Sequence, residues 1–153
     1  MIIDFHTHIG ESNDGSRQTL KELKRSMKKF GITKCVVFPI DEKKYSVEES
    51  SFRILDQTKG DKSFIPFFRF DPKKMTSSKL RDILKSFYGV KLHTRSQDFD
   101  PLNKKFFPLY REIANAEKPL LFHSKKYHVP QTDPMRLVKL ARFKHWSFAS
   151  PQR

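Results

Sequence analysis

The chain has 153 residues, 37% hydrophobic and 31% charged, with fifteen Phe and nine Pro; this suits one ordinary domain and is too aromatic for a disordered segment and too charged for a membrane-embedded one. Its apolar runs, such as Cys35 to Phe38 and Pro119 to Phe122, fall far short of the roughly 20 residues of a membrane-spanning helix. The start Met1-Ile2-Ile3-Asp4 lacks the basic and apolar stretches of a secretory signal, so a cytoplasmic location is expected. A formal charge of +14 attracts polyanions at low salt without specifying any, and the single cysteine, Cys35, excludes an internal disulfide and lies in an apolar run where a buried thiol belongs.

Ile2 to Phe5 begins a short strand, and Gly10 to Ser16 reads as a polar loop. Thr19-Leu20-Lys21-Glu22 has capping-box spacing, with Ser16 an alternative cap, and Leu20, Leu23, Met27 and Phe30 then recur at helical intervals until Gly31 can end the helix. Its other face carries Lys21, Lys24, Arg25, Lys28 and Lys29, as a solvated helix face does. Lys34 to Ile40 predicts a second strand ending near Pro39. Ser46-Val47-Glu48-Glu49 is a second capping-box spacing, opening a helix with Phe52, Ile54 and Leu55 that stops near Gly60. A third strand over Phe64 to Phe70, a third helix over Ser78 to Phe87 and a fourth strand over Gly89 to His93 follow. Asp100-Pro101 can begin a turn or helix whose apolar face is Phe106, Phe107, Leu109, Tyr110, Ile113 and Ala114. Pro119 to Phe122 is the fifth strand, Asp133-Pro134 starts the fifth helix, and Trp146 to Phe148 opens a sixth strand before an irregular terminus at 149–153.

The strand starts recur every about 29 residues, the span of a strand plus its crossover helix, so the sheet should be parallel and covered by helices. Eight such units would need about 240 residues. The expectation is therefore α/β: an incomplete TIM-like (β/α) barrel of about five βα units plus a sixth strand, in a single partial domain over residues 1–153.

Chemistry concentrates where strands end. In Asp4-Phe5-His6-Thr7-His8, residues two apart face the same way, so His6 and His8 can approach one cation while Asp4 orients a ligand. His123 directly follows the apolar run of the fifth strand, at the rim where parallel β/α folds place ligands. Three such histidines can form part of a Zn²⁺ or related transition-metal site. Lys91 and His93 on the fourth strand add a substrate contact or a metal-associated group.

At this point the chain resembles the amidohydrolase superfamily, in particular its amidohydrolase-related (amidohydrolase 2-like) hydrolases and decarboxylases. Ile3-Asp4-Phe5-His6-Thr7-His8-Ile9-Gly10 resembles the opening metal motif, Gly89-Val90-Lys91-Leu92-His93 the fourth-strand region, and Pro119-Leu120-Leu121-Phe122-His123 the fifth-strand ligand motif. The resemblance implies a (β/α)8-type barrel, His6, His8 and His123 as metal ligands, a divalent transition metal, zinc first, and a small organic substrate. It also implies a catalytic His after the sixth strand and a metal-binding Asp after the eighth, and neither can be assigned: His145 precedes Trp146-Ser147-Phe148 instead of following it.

The function expected on this basis is metal-dependent hydrolysis of a small carbonyl-containing substrate, with Lys91 or His93 stabilising developing negative charge and Arg95 gripping a substrate carboxylate. A metal-dependent decarboxylase, a non-catalytic metal-binding or structural remnant, and a phosphodiesterase or DNase are the alternatives. The aromatic residues lie in core patterns and no nucleic-acid-reading motif accompanies the charge, so nucleic acid is not the expected partner. Self-association through an open sheet edge is.

Overall fold

Two reciprocal caps start the helices of the first half. The Glu22 N–H donates to Thr19 Oγ1 at 3.2 Å while the Glu22 carboxylate accepts from the Thr19 N–H at 2.8 Å, opening α1 (Leu20–Lys29). Ser46 and Glu49 repeat the exchange at 3.2 and 2.9 Å at the start of α2 (Val47–Gln57). Each box satisfies amides that a helix start leaves without intrahelical acceptors. Between the two caps the sequence left open, Thr19 is the one used.

The computed structural model describes residues 1–13, 15–42, 44–124 and 130–141, and the backbone of 146–149. These form two compact units, Met1–Arg69 and Phe70–Arg153. In the first, β1 (Ile3–Glu11) lies parallel to β3 (Lys34–Pro39), which lies parallel to β4 (Phe64–Arg69). β1 runs past the predicted Phe5 to Glu11, taking in the first two residues of the loop expected over Gly10 to Ser16; the chain then turns back so that β2 (Arg17–Gln18) pairs antiparallel with Gly10 and Glu11. Polar composition concealed this hairpin, because a two-residue strand has no periodicity to read. Gly10 adopts φ +128, a backbone conformation that residues with a side chain rarely take, so the position favours glycine.

One face of this sheet packs on the helices. Leu23 and Met27 of α1 and Ile54 of α2 meet Ile9, Cys35, Val37 and Phe64 in a buried cluster, where each large apolar side chain contributes about 1.5–3 kcal/mol. Cys35 is fully buried and donates to Met27 Sδ at 3.5 Å. Burial pushes its thiol up to about 11, which leaves it protonated and inert at neutral pH, as its apolar run implied.

In the second unit α3 (Ser77–Leu84) starts at a Thr76 cap and precedes β5 (Gly89–Leu92). The predicted third helix reached Phe87; the helix ends at Leu84, and Phe87 is buried beyond it. Of the turn or helix that Asp100-Pro101 could begin, the structure forms the turn. Asp100 Oδ1 accepts from the Leu102 N–H at 3.0 Å there, and α4 (Phe107–Asn115) begins only after a 3₁₀ turn over Lys104–Phe106. Next come β6 (Leu120–His123), α5 (Pro134–Leu137), capped by Asp133, and β7 (Trp146–Ala149), with β5, β6 and β7 mutually parallel. Residues 150–153 of the anticipated irregular terminus lie outside the described residues.

The element order is that of an incomplete TIM-like (β/α) barrel with about five βα units and a further strand, and the sheet of each unit is open. Among the described residues no helix is long and apolar enough to cross a membrane.

Candidate functional site

The first candidate group stands on β1, and a bulge shapes it. Asp4 pairs with Cys35 and Thr7 with Val37, so β1 spends one more residue than β3 between these points. The strict alternation that would put Asp4, His6 and His8 in one row is therefore interrupted. Asp4 Oδ1 instead accepts from the His6 backbone N–H at 2.9 Å, bracing the strand where it bends. Beyond the bulge Thr7 and Ile9 are buried, Thr7 donating to the Val36 carbonyl at 2.8 Å and Ile9 entering the helix-covered core. His6 and His8 alternate with them and flank Phe38, with ring centres 5.3 and 4.6 Å from it.

The two rings are half-buried and their centres lie 5.1 Å apart. Imidazoles sharing one tetrahedral metal, with metal–nitrogen bonds of about 2.1 Å, have ring centres roughly 5 Å apart. The pair thus meets the spacing a shared cation requires. Among the described residues, however, no group of three or more His, Cys, Asp or Glu side chains is arranged to hold a metal. The structure supplies a pair and not a complete shell.

At the end of β4 stands a residue the sequence reading passed over. Arg69 is 1% exposed, and it donates through Nη1 to the Pro39 carbonyl at 3.1 Å and through Nη2 to Asp41 Oδ1 at 2.5 Å. Ser51 of α2 holds its backbone, accepting from the Arg69 N–H at 3.0 Å and donating to its carbonyl at 3.1 Å. Burying a guanidinium is tolerable only with such partners. Asp41, one of the strand-end carboxylates, is thereby committed to Arg69. The sequence signal was an arginine closing an apolar run, with an aspartate just past the neighbouring strand.

The second group lies in the second unit. Lys91 of β5 is fully buried, opposite Leu121 in the ladder, and His123 ends β6. His93, one residue past β5, stacks on His123 with ring centres 3.9 Å apart and planes within 10°. Arg95 is exposed in the turn that follows. The structure thus brings together His6 with His8, and His93 with His123. His128 and His145 lie outside the described residues.

The chain matches no family model and no curated protein. Among solved structures it is similar to 5-carboxyvanillate decarboxylase LigW from Sphingomonas paucimobilis, with a TM-score of 0.60 and 11% identity over 86% of this chain and 51% of that one. The fold accordingly matches that of this decarboxylase. At this identity the likeness establishes the fold alone, and the chain spans about half the length (51%) of that enzyme.

Proposed function

We propose that this chain is an amidohydrolase-related protein that hydrolyses a small carbonyl-containing organic substrate using a divalent transition metal, zinc first, with His6 and His8 as ligands. The observation that carries this reading is the 5.1 Å separation of the two rings on a strand of a fold matching that of a decarboxylase. His123 joins as a third ligand on the family resemblance, which also brings Lys91, His93 and Arg95 as groups that handle substrate. A bound metal of this kind lowers the pKa of water and polarises a carbonyl. The chain's own residues do the remainder. The buried ammonium of Lys91 would stabilise negative charge more strongly than a solvated one, the exposed Arg95 guanidinium would hold a carboxylate through two parallel bonds, and Asp4 keeps the His6 backbone in place.

Decarboxylation is the second reading, favoured by the fold match to a decarboxylase; the same cationic groups would steady the charge left as carbon dioxide departs. A non-catalytic metal-binding or structural role is the third, favoured by the lack of a three-donor group among the described residues.

Metal analysis of the purified chain tests the core of the proposal. Stoichiometric zinc is expected, lost in His6→Ala and in His8→Ala, and lost in His123→Ala where that residue shares the ion. Metal-free protein, or metal retained in every variant, would overturn it. Product analysis of the loaded protein on aromatic carboxylic acids, lactones and amides then separates carbon dioxide release from hydrolysis, and bound metal without turnover marks the third reading.

A further inference from the structure

We propose that the hollow between the β1–β2 hairpin and α2 binds a small amino acid as its zwitterion, with Arg53 holding the carboxylate and Glu42, beside Glu11, holding the ammonium. The site is separate from the metal reading above. Ile9 lines the hollow, which therefore lies on the helix-covered side of β1, while His8 alternates with Ile9 and faces the other way.

Two cavities make up the hollow, one of about 560 Å³ and one of about 260 Å³, and Glu11, Glu42 and Arg53 stand in the walls of both. Opposite charges in one wall ordinarily pair. Among the described residues, however, no hydrogen bond or ion pair joins Glu42 to Arg53, because each is placed by something else. The Arg53 guanidinium lies over the Tyr45 ring, 4.2 Å from its centre, which covers one face of the planar group and leaves its N–H edge for an acceptor. Glu42 Oε1 occupies the space that a side chain on Gly10 would fill. Burial pushes the Glu42 carboxyl up, the charge of Arg53 draws it down and that of Glu11 raises it, so the three groups act on one another through the hollow without touching.

The balance of charge selects the ligand. Among the described residues, two carboxylates, Glu11 and Glu42, and two cations, Lys44 and Arg53, border the larger cavity. A bare cation would meet Arg53 and Lys44, and a bare anion would meet the carboxylates; a molecule carrying both charges at opposite ends is repelled by neither pair. An ammonium between Glu11 and Glu42 also relieves the repulsion of these like charges. The smaller cavity offers room for an aliphatic body against Ile9 and Ile54. Ser50, Arg53, Ile54 and Gln57 recur at intervals of three and four, so they share the face of α2 that borders this cavity. Ser50 is 2% exposed, and its Oγ has no hydrogen-bond partner among the described residues. A buried hydroxyl in that state is rare in native interiors, and a polar group of a bound molecule would satisfy it.

Amide chemical shifts of the full ¹⁵N-labelled chain during titration test the site. Glycine and 4-aminobutanoate set the two charges at short and long separation, and butanoate and butylammonium carry one charge each. At least one zwitterion should bind about tenfold more tightly than either single-charge compound and shift the amides of Gly10, Glu11, Glu42 and Arg53. Arg53→Gln should weaken that zwitterion about tenfold and leave butylammonium unchanged, and Glu42→Gln should weaken it equally and leave butanoate unchanged. This crossed pattern separates a lost contact from a lost fold, which would weaken every ligand together. Zwitterions that bind the native chain no more tightly than the single-charge compounds, shifts confined to other amides, or zwitterion affinity unchanged in both variants would each overturn the proposal.

Discussion

Arg69 and Asp41 form an asymmetric pair, the guanidinium 1% exposed and the carboxylate side chain 37% exposed. The consequences of cutting it differ by partner. Asp41→Ala withdraws the counter-charge from a buried cation and should cost about 3 kcal/mol. Arg69→Met releases a carboxylate that already reaches water and fills the space with a flexible apolar chain, so it should cost distinctly less, about 1 kcal/mol. Urea denaturation of the two variants checks the order, and a costlier Arg69→Met would show that the aliphatic stem of the arginine, and not its charge, matters there. The sequence could show each residue but not their pairing, since contacts between the ends of neighbouring strands leave no periodic trace. The histidines were legible for the opposite reason: all four lie in or directly after short apolar runs, so their place at strand ends followed from counting. What counting could not show was the bulge in β1, a register shift braced by a hydrogen bond to a single amide.

At the scale of elements, the caps carry the clearest information. Thr19 and Ser46 were readable because a capping box is a local pattern in which both partners lie within four residues. Thr19→Ala and Ser46→Ala should each cost about 1 kcal/mol, and Thr19→Ala combined with Glu22→Ala should cost less than the two singly, since both remove the same reciprocal contact. Thermal unfolding of the four-protein cycle measures this, and strict additivity would mean that the box is energetically two separate bonds. Asp100 was legible only as the start of a turn or a helix, and the structure takes the turn. Asp-Pro is an equally good local signal, but the segment after it forms a turn, and Tyr110 of α4 reaches back to donate to the Pro101 carbonyl at 3.0 Å. With Phe99 packed edge-on to Phe106 at 5.2 Å, the helix starts six residues later than a helix capped by Asp100 would.

At the scale of the whole molecule, the alternation of strand and helix was visible because β3 to β7 are compact apolar runs at regular spacing. The hairpin at β2 was not, for want of any pattern. The charge of +14 also acts at this scale. With no nucleic-acid-reading motif in the sequence, retention on double-stranded DNA at low ionic strength should fall steeply with salt and show no preference for sequence; salt-resistant or sequence-selective binding in a filter assay would reinstate the nuclease alternative.

The hairpin has one more implication. β2 touches β1 only at Gly10 and Glu11, and along Ile3 to Ile9 no strand among the described residues lines that side. Any strand arriving there, from the same polypeptide or another copy, could zip along Ile3 to Ile9 and would be halted by the hairpin before Gly10. The doorstop sets how far such a visitor can slide, and therefore which of its residues would come to rest beside His6 and His8.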